Sequence, residues 1–328
     1  ISKSPLVLLE QLHFHQSQIR LLHRLRRSTR RVRRHGRRGN LHAIPRYMNQ
    51  VGEASYALDR LNRIDVLRRT DARYSCHAAA KHAEANRYTN VAPYDGAILP
   101  GPYINASLIP PLPEAARGFA CIASQAPLPA TYPAFFEHIC TQKSRMILNL
   151  TPLEERGIPK SDRYWPLDMA SPLLIGPWSV ALLSIESASE AFPGTKAAAL
   201  DKLCVRRLQL SKPGMSHHVT QLHFVGWPDH GDLDVQSFCG LLEAVHAIQG
   251  ESATPAWIHC SAGIGRSGTV IGALLAQMQP SSFLAQGTAL EQATYLTAYM
   301  RKFRPGSVQT PTQLMSMAAT LAALCSGV

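Results

Sequence analysis

The sequence predicts a mixed α/β fold with a sizeable sheet, formed by one domain that begins near residue 47. Three observations predict it. Short apolar runs of strand length recur between stretches with helical apolar spacing. One such run, Ala256 to His259, passes through a loop of small residues straight into an apolar helical stretch from Val270. A chain of 328 residues that is 45% hydrophobic and 17% charged can also bury a large core.

The elements follow in order. Residues 51–83 read as helix, because Ala57, Leu61 and Ile64 share a face and neither Pro nor Gly follows Gly52. From Val91 to Pro133 the chain is rich in Pro and Gly, with Tyr103-Ile104 and Phe119 to Ala123 as short strands joined by turns. Phe135 to Gln142 reads as a helix and Arg145 to Leu150 as a buried strand. Val180 to Ile185, Leu203 to Leu210 and Val219 to Val225 are further strands, followed by a helix over Leu233 to Ile248. Ala256 to His259 is a strand. Val270 to Met278 and Gln313 to Leu324 are helices, the second turning Leu314, Met317 and Leu321 inward. No internal repeat is present.

Composition narrows the function. The net charge is +12, but residues 1–46 hold twelve of the 34 Lys and Arg against one of the 22 acids, Glu10. The arm is therefore +11 and the remainder +1, so whatever the body binds is held by a local pocket rather than by net charge. Arg24 to Gly39 is dense in like charge and predicts an extended, disordered arm. Its composition equally suits a tail without a role, a nuclear-import or nucleic-acid patch, an acidic-membrane anchor and an organelle-targeting peptide. Nucleic-acid or membrane contact is expected through this arm only. No apolar run of about 18 residues is present, and no transmembrane segment or secretory signal is expected. Seven cysteines without paired metal spacing argue against a disulfide scaffold and a zinc ribbon. They favour a reducing compartment, hence a cytoplasmic location.

The strongest motif is His259-Cys260-Ser261-Ala262-Gly263-Ile264-Gly265-Arg266-Ser267-Gly268. A strand, a small-residue loop and a helix start are arranged to cup an oxyanion, with backbone N–H groups turned inward and the helix dipole behind them. Gly263 and Gly265 permit the tight path. Arg266 presents a planar fork to two phosphate oxygens. Cys260 at the base is expected to be an exposed thiolate, the first thiol that peroxide finds. A thiolate aimed at phosphorus implies covalent phosphoryl transfer. Ser267 is expected to donate to the sulfur, and His259 to bond nearby backbone. The loop lacks the Gly-Lys-Ser/Thr of a Walker loop.

This run resembles the signature of the tyrosine-specific protein tyrosine phosphatases, in a non-receptor-like form. The resemblance implies a highly twisted mixed central sheet flanked by helices, no metal, no cofactor and phosphotyrosine-containing proteins as partners. It implies that Trp227-Pro228-Asp229-His230-Gly231 is the closing acid loop, with Trp227 as its hinge and Asp229 as general acid and then general base. By itself Pro-Asp-x-Gly is a common turn. Asn86 to Val91 resembles the phosphotyrosine-recognition loop, with Tyr88 stacking on the substrate ring and Asn90 holding its main chain. Ser261, Ala262, Gly263, Ile264 and Gly265 would bind phosphate. Glu155 would pair with Arg266, and Lys160 would approach Asp229. Gln309 would orient water, assisted by Gln313, although Thr310-x-x-Gln313 is also a capping box. Tyr103 to Ser107 and Gln125 to Pro129 resemble structural segments of the family.

The motifs run in family order over roughly residues 47–328. Ala126, Asp232-Leu233-Asp234, Leu314 and the stretch Gly96 to Leu99 depart from the family pattern without removing a chemical group. Competing readings are a phosphatase for phosphoserine/threonine or phosphoinositides, and a phosphotyrosine-binding pseudoenzyme. The first is opposed by Tyr88 and the second by the presence of Cys260, Arg266 and Asp229. His217, His218 and His223 read as surface imidazoles at a strand end, and Cys121 and Cys140 as inert core thiols.

Overall fold

A computed structural model describes residues 46–115, 118–227, 231–279, 283 and 286–326. The arm read over 1–46 lies, up to residue 45, outside the described residues, and so do Pro228, Asp229 and His230. Tyr47–Val328 forms one compact unit.

Ten strands are described. They are β1 (Ala106–Ile109), β2 (Cys121–Ser124), β3 (Met146–Asn149), β4 (Glu154–Glu155), β5 (Ile158–Pro159), β6 (Leu173–Ile175), β7 (Trp178–Ser187), β8 (Leu203–Lys212), β9 (Met215–Phe224) and β10 (Ala256–His259). Eight of these form one twisted mixed sheet in the order β1-β2-β10-β3-β9-β8-β7-β6. The middle four, β2, β10, β3 and β9, run parallel. Strand β1 and the meander β9-β8-β7-β6 pair antiparallel at the two flanks. A parallel strand needs cover on both faces, and β3 and β10 are accordingly buried at every position.

The helices are α1 (Arg46–Arg68), α2 (His77–Lys81), α3 (Tyr132–Thr141), α4 (Ala188–Ala191), α5 (Val235–Gln249), α6 (Gly265–Gln277), α7 (Ala289–Met300) and α8 (Pro311–Ser326). Alternate strand residues feed two cores. Met146, Leu148, Leu222 and Ile258 pack with residues of α1 and α5 to α8. Ile147, Val219 and Trp257 pack with Tyr132, Phe135 and Phe136 of α3. Period-two alternation places β3 and β10 in both cores at once.

The expected strands over 145–150, 180–185, 203–210, 219–225 and 256–259 all form, most of them longer at one or both ends. Two expectations fail, and one helix forms where none was expected. The helix read over 51–83 stops at Arg68 and resumes only as the single turn α2. Asp71 accepts from the Arg73 N–H at 3.0 Å, and the Asp95 carboxylate accepts from the His77 and Ala78 N–H groups at 2.9 and 3.0 Å. A side chain eighteen residues further on thus starts the second piece, which no local pattern reveals. Tyr103-Ile104 is not a strand, since the Ile104 carbonyl accepts from the Ala106 N–H at 2.9 Å in a tight turn. Helix α7 was not expected, although Thr288 and Glu291 form a reciprocal capping box at its start.

One buried ion cluster ties α1 to the loop after α7. Arg301 is 1% exposed and donates to Asn62 Oδ1 at 2.8 Å and Asp65 Oδ2 at 3.2 Å on α1, and to the carbonyls of Ser307 and Val308, both at 2.9 Å. Burial lowers the Arg301 pKa, and Asp65 opposes that shift. Removing one partner of a buried pair leaves an uncompensated charge. Asp65→Ala is therefore expected to cost about 3 kcal/mol in urea unfolding, and Asp65→Asn less.

Candidate active site

Strand β10 delivers Cys260 to the carboxyl end of the parallel strands, where open α/β sheets hold their ligands. The chain turns through Ser261 to Ile264 and enters α6 at Gly265. Gly263 has φ +72, and a Cβ there would lie 2.0 Å from the Ser124 carbonyl oxygen, so only glycine fits. Its N–H donates to Cys260 Sγ at 3.3 Å. At Gly265 a side chain would displace only the amide ends of two glutamines, not backbone. A Cβ there would meet Gln309 Oε1 at 2.6 Å and Gln313 Nε2 at 2.9 Å.

The loop's carbonyls find donors outside it. The Cys260 carbonyl faces His259 Nδ1 at 3.2 Å, and Ala126 N donates to Ser261 O at 3.0 Å. Arg304 donates to Ala262 O at 3.0 Å through Nη2 and to Gly263 O at 3.2 Å through Nε. Val308 N donates to Ile264 O at 2.9 Å. Arg304 is fully buried, and its pKa is pushed down to about 10 by burial, opposed by Cys260. It keeps its charge at neutral pH. Val308, a β-branched residue, is held at φ +60, a strained conformation that Arg301 supports through the Val308 carbonyl. The sequence reading missed Arg301 and Arg304. Their one signal was a pair of arginines just before Gln309, and an exposed pair would read the same.

Arg266 is 6% exposed. Its Nη2 donates to Glu155 Oε1 at 2.6 Å, and its Nη1 to Leu150 O at 3.2 Å and Thr151 Oγ1 at 3.1 Å. Glu155 sits on the β4–β5 hairpin, whose two-residue turn has Arg156 and Gly157 at φ +53 and +77. Lys160 Nζ stands 4.0 Å from the other Glu155 oxygen, and the Lys160 carbonyl accepts from Ser261 Oγ at 2.7 Å. With that proton spent, Tyr88 O–H is the donor in its 2.7 Å bond to Ser261 Oγ. Tyr88 thus stands against the cradle, and Asn90 lies exposed in the turn after it. Gln125 Oε1 accepts from the Arg87 N–H at 2.8 Å and holds this segment in place.

Gln313 closes the capping box of α8. Its Oε1 accepts from Gln309 N at 2.9 Å and Thr310 N at 3.3 Å, while its own N–H donates to Thr310 Oγ1 at 3.2 Å. Trp227 is buried on Phe238 and donates to Gly231 O at 3.2 Å, joining the two ends of the acid segment. Asp229 lies outside the described residues.

Three expectations are corrected. Cys260 is 5% exposed, not open to solvent. Ser267 Oγ is buried and has no hydrogen-bond partner among the described residues, so the expected bond to the sulfur is not made; the Gly263 N–H faces the sulfur instead. His223 is buried rather than on the surface, its Nε2 3.0 Å from Thr151 O. His217 is half-buried with Nε2 2.8 Å from Ser144 O, and His218 is exposed. Among the described residues no three His, Cys, Asp or Glu could hold a metal ion together. Cys121 and Cys140 have thiols pushed up to about 12 by burial.

His259 and His223 are both neutral. A carbonyl only accepts, so Nδ1–H of His259 is the donor to Cys260 O and its Nε2 accepts from Tyr164 O–H at 2.8 Å. Burial pushes the His259 pKa down to about 3 and that of His223 down to about 4.

A family model for protein-tyrosine phosphatases matches residues 82–323. Human receptor-type tyrosine-protein phosphatase H is 33% identical over 255 residues, 72% of this chain and 20% of that protein. Human tyrosine-protein phosphatase non-receptor type 20 is 31% identical over 240 residues, 70% of this chain and 52% of that one. The solved structure of the Trypanosoma brucei protein tyrosine phosphatase TbPTP1 superposes with a TM-score of 0.70 at 29% identity, covering 86% of this chain and 94% of that one. This chain belongs to the protein-tyrosine phosphatase family. It spans about a fifth and about half of the two curated relatives.

The two buried histidines set a pH dependence. Between the ordinary value of 6.5 and the folded values of about 3 and about 4, the unfolded chain binds protons that the folded chain refuses. Stability is therefore full above pH 6.5 and falls as pH drops. Urea midpoints should decline from pH 7 toward about pH 4.5. His223→Gln, measured the same way, should flatten part of that slope.

Proposed function

We propose that residues 47–328 are a catalytic domain that hydrolyses phosphotyrosine in proteins through a cysteinyl-phosphate intermediate. The observation that carries this reading is the cradle itself, a helix N-terminus with the Gly263 N–H aimed at Cys260 Sγ and a buried arginine in the first turn of that helix. Ser261, Ala262, Gly263, Ile264, Gly265 and Arg266 bind the phosphate. The Cys260 thiolate attacks phosphorus, the sulfur–phosphorus bond forms and the bond to the tyrosyl oxygen breaks. Asp229 gives its proton to that oxygen. Gln309, beside Gly265 and assisted by Gln313, then orients a water. Asp229 takes the water's proton, oxygen bonds to phosphorus, and the sulfur leaves as a thiolate with inorganic phosphate as product. Ser267 donates to the departing sulfur once its hydroxyl turns.

Tyr88 supports the choice of substrate. Its bond to Ser261 sets one wall of the cleft at a height that a phosphotyrosine spans and a phosphoserine does not. Asn90 holds the substrate main chain. Glu155 and Lys160 keep Arg266 in place, and Lys160 meets Asp229 when the acid loop swings in on Trp227. Phosphotyrosine-containing proteins are the partners, and the Arg-rich residues 1–46 are a separate arm. Cysteine usage supports a cytoplasmic setting. Among the described residues no helix is long and apolar enough to cross a membrane.

Phosphate release from a phosphotyrosine peptide, a phosphoserine peptide and a phosphoinositide, each with EDTA, tests the proposal. Release from phosphotyrosine alone is expected, abolished by Cys260→Ser. Asp229→Asn should lower kcat by about 10² to 10⁴. Release chiefly from another substrate would overturn the argument from Tyr88, and no release from folded protein would overturn the enzyme reading.

A further inference from the structure

We infer that Thr151 is a positioning residue for Arg266, its hydroxyl holding the guanidinium in the orientation that grips the phosphate. The inference rests on the reading of Arg266 as the phosphate-binding arginine. Glu155 holds the guanidinium through Nη2 at 2.6 Å. The second anchor is on the opposite terminal nitrogen, where Nη1 meets Leu150 O at 3.2 Å and Thr151 Oγ1 at 3.1 Å. Two acceptors on one nitrogen fix the plane as well as the direction of the fork.

Thr151 is itself held in three ways. Its N–H donates to Asn149 Oδ1 at 3.1 Å. Its carbonyl accepts from His223 Nε2 at 3.0 Å, and the Nδ1 of that imidazole stands 3.4 Å from Arg206 Nη1. Pro152 follows and confines the Thr151 backbone to the extended region. The β-branched side chain has few χ1 choices left, so the hydroxyl points where the backbone sends it. Leu150, the other acceptor, is anchored by its N–H to His259 O at 2.9 Å. Leu150 thus continues the bonding of β3 alongside β10, and Thr151 lies in the bend that follows it. Thr151 is 0% exposed, so no solvent contact accounts for a hydroxyl there. His223, which the phosphoryl chemistry does not use, has a role as the donor that keeps Thr151 in place.

Tungstate, an oxyanion, reads the effect by calorimetry without turnover. Affinity is measured for wild type, Arg266→Met, Thr151→Val, Thr151→Ser and Thr151→Ala, alongside urea midpoints and the split of kcat and KM on a phosphotyrosine peptide. Loss of a hydrogen bond to a buried charge should weaken tungstate roughly 10- to 100-fold in the Val and Ala variants. Ser, which keeps the hydroxyl, should bind nearly as wild type. The comparison of Ser with Ala isolates the hydroxyl even where Val disturbs folding. Val and Ala variants that bind tungstate as wild type does, while Arg266→Met does not, would overturn the inference and leave the proposed function standing. Losses in Ser and Ala with Val binding as wild type would also overturn it, by assigning the effect to the methyl group that Val keeps and the other two lack. Unchanged binding by Arg266→Met would overturn both readings together.

Discussion

A loop that turns its N–H groups toward an anion must turn its carbonyls away from it, and buried carbonyls need donors. Everything around Cys260 follows from that constraint. The five carbonyls from Cys260 to Ile264 face His259, Ala126, Arg304 and Val308. No two of these donor residues are adjacent in the chain. Because Gly263 lies against Ser124 too closely for any Cβ, the loop can take this path only where β2 ends. The cradle is therefore assembled by the sheet and by the loop after α7 together, and neither makes it alone.

That solution buries charge. Arg266, Arg301 and Arg304 are each 6% exposed or less, and an arginine withdrawn from water is tolerable only with many acceptors. Each has acceptors in a different form, and Arg304 keeps its buried Nη1 without a hydrogen-bond partner among the described residues. Arg266 uses a carboxylate, a carbonyl and a hydroxyl. Arg301 uses Asp65, Asn62 and two carbonyls, and so fastens α1 to the loop that carries Val308 and Gln309. Arg304 uses the cradle's own carbonyls, which brings a fixed positive charge beneath Cys260. Structural support and electrostatic support for an anion are the same contacts here.

The histidines and hydroxyls around the cradle work by donating in fixed directions. His259 is kept neutral by burial and oriented by Tyr164, so its Nδ1 proton always faces Cys260 O. His223 does the same for Thr151. Neutral donors suit this place, since a protonated imidazole would add charge that the surrounding rings of Trp165 and Tyr164 could not solvate.

Much of this was legible in the residues themselves. The strand over Ala256 to His259, the glycine at 263 and the run from Cys260 to Arg266 determined where the cradle forms. They did so because a strand, a small-residue loop and a helix start are local and obey local sterics. Composition also separated the arm from the body by charge alone. What only the tertiary structure decided is where the loop's carbonyls and the buried arginines find partners. Arg304 serves Gly263 from 41 residues away, and Thr151 serves Arg266 from 115. Asp95 starts α2 from 18 residues on, and His223 is buried by the strands beside it rather than exposed at an end. Hydrogen-bond satisfaction in a buried site is settled by whichever chain segment the sheet brings near. Neither a 3.6-residue period nor a motif spacing carries that information.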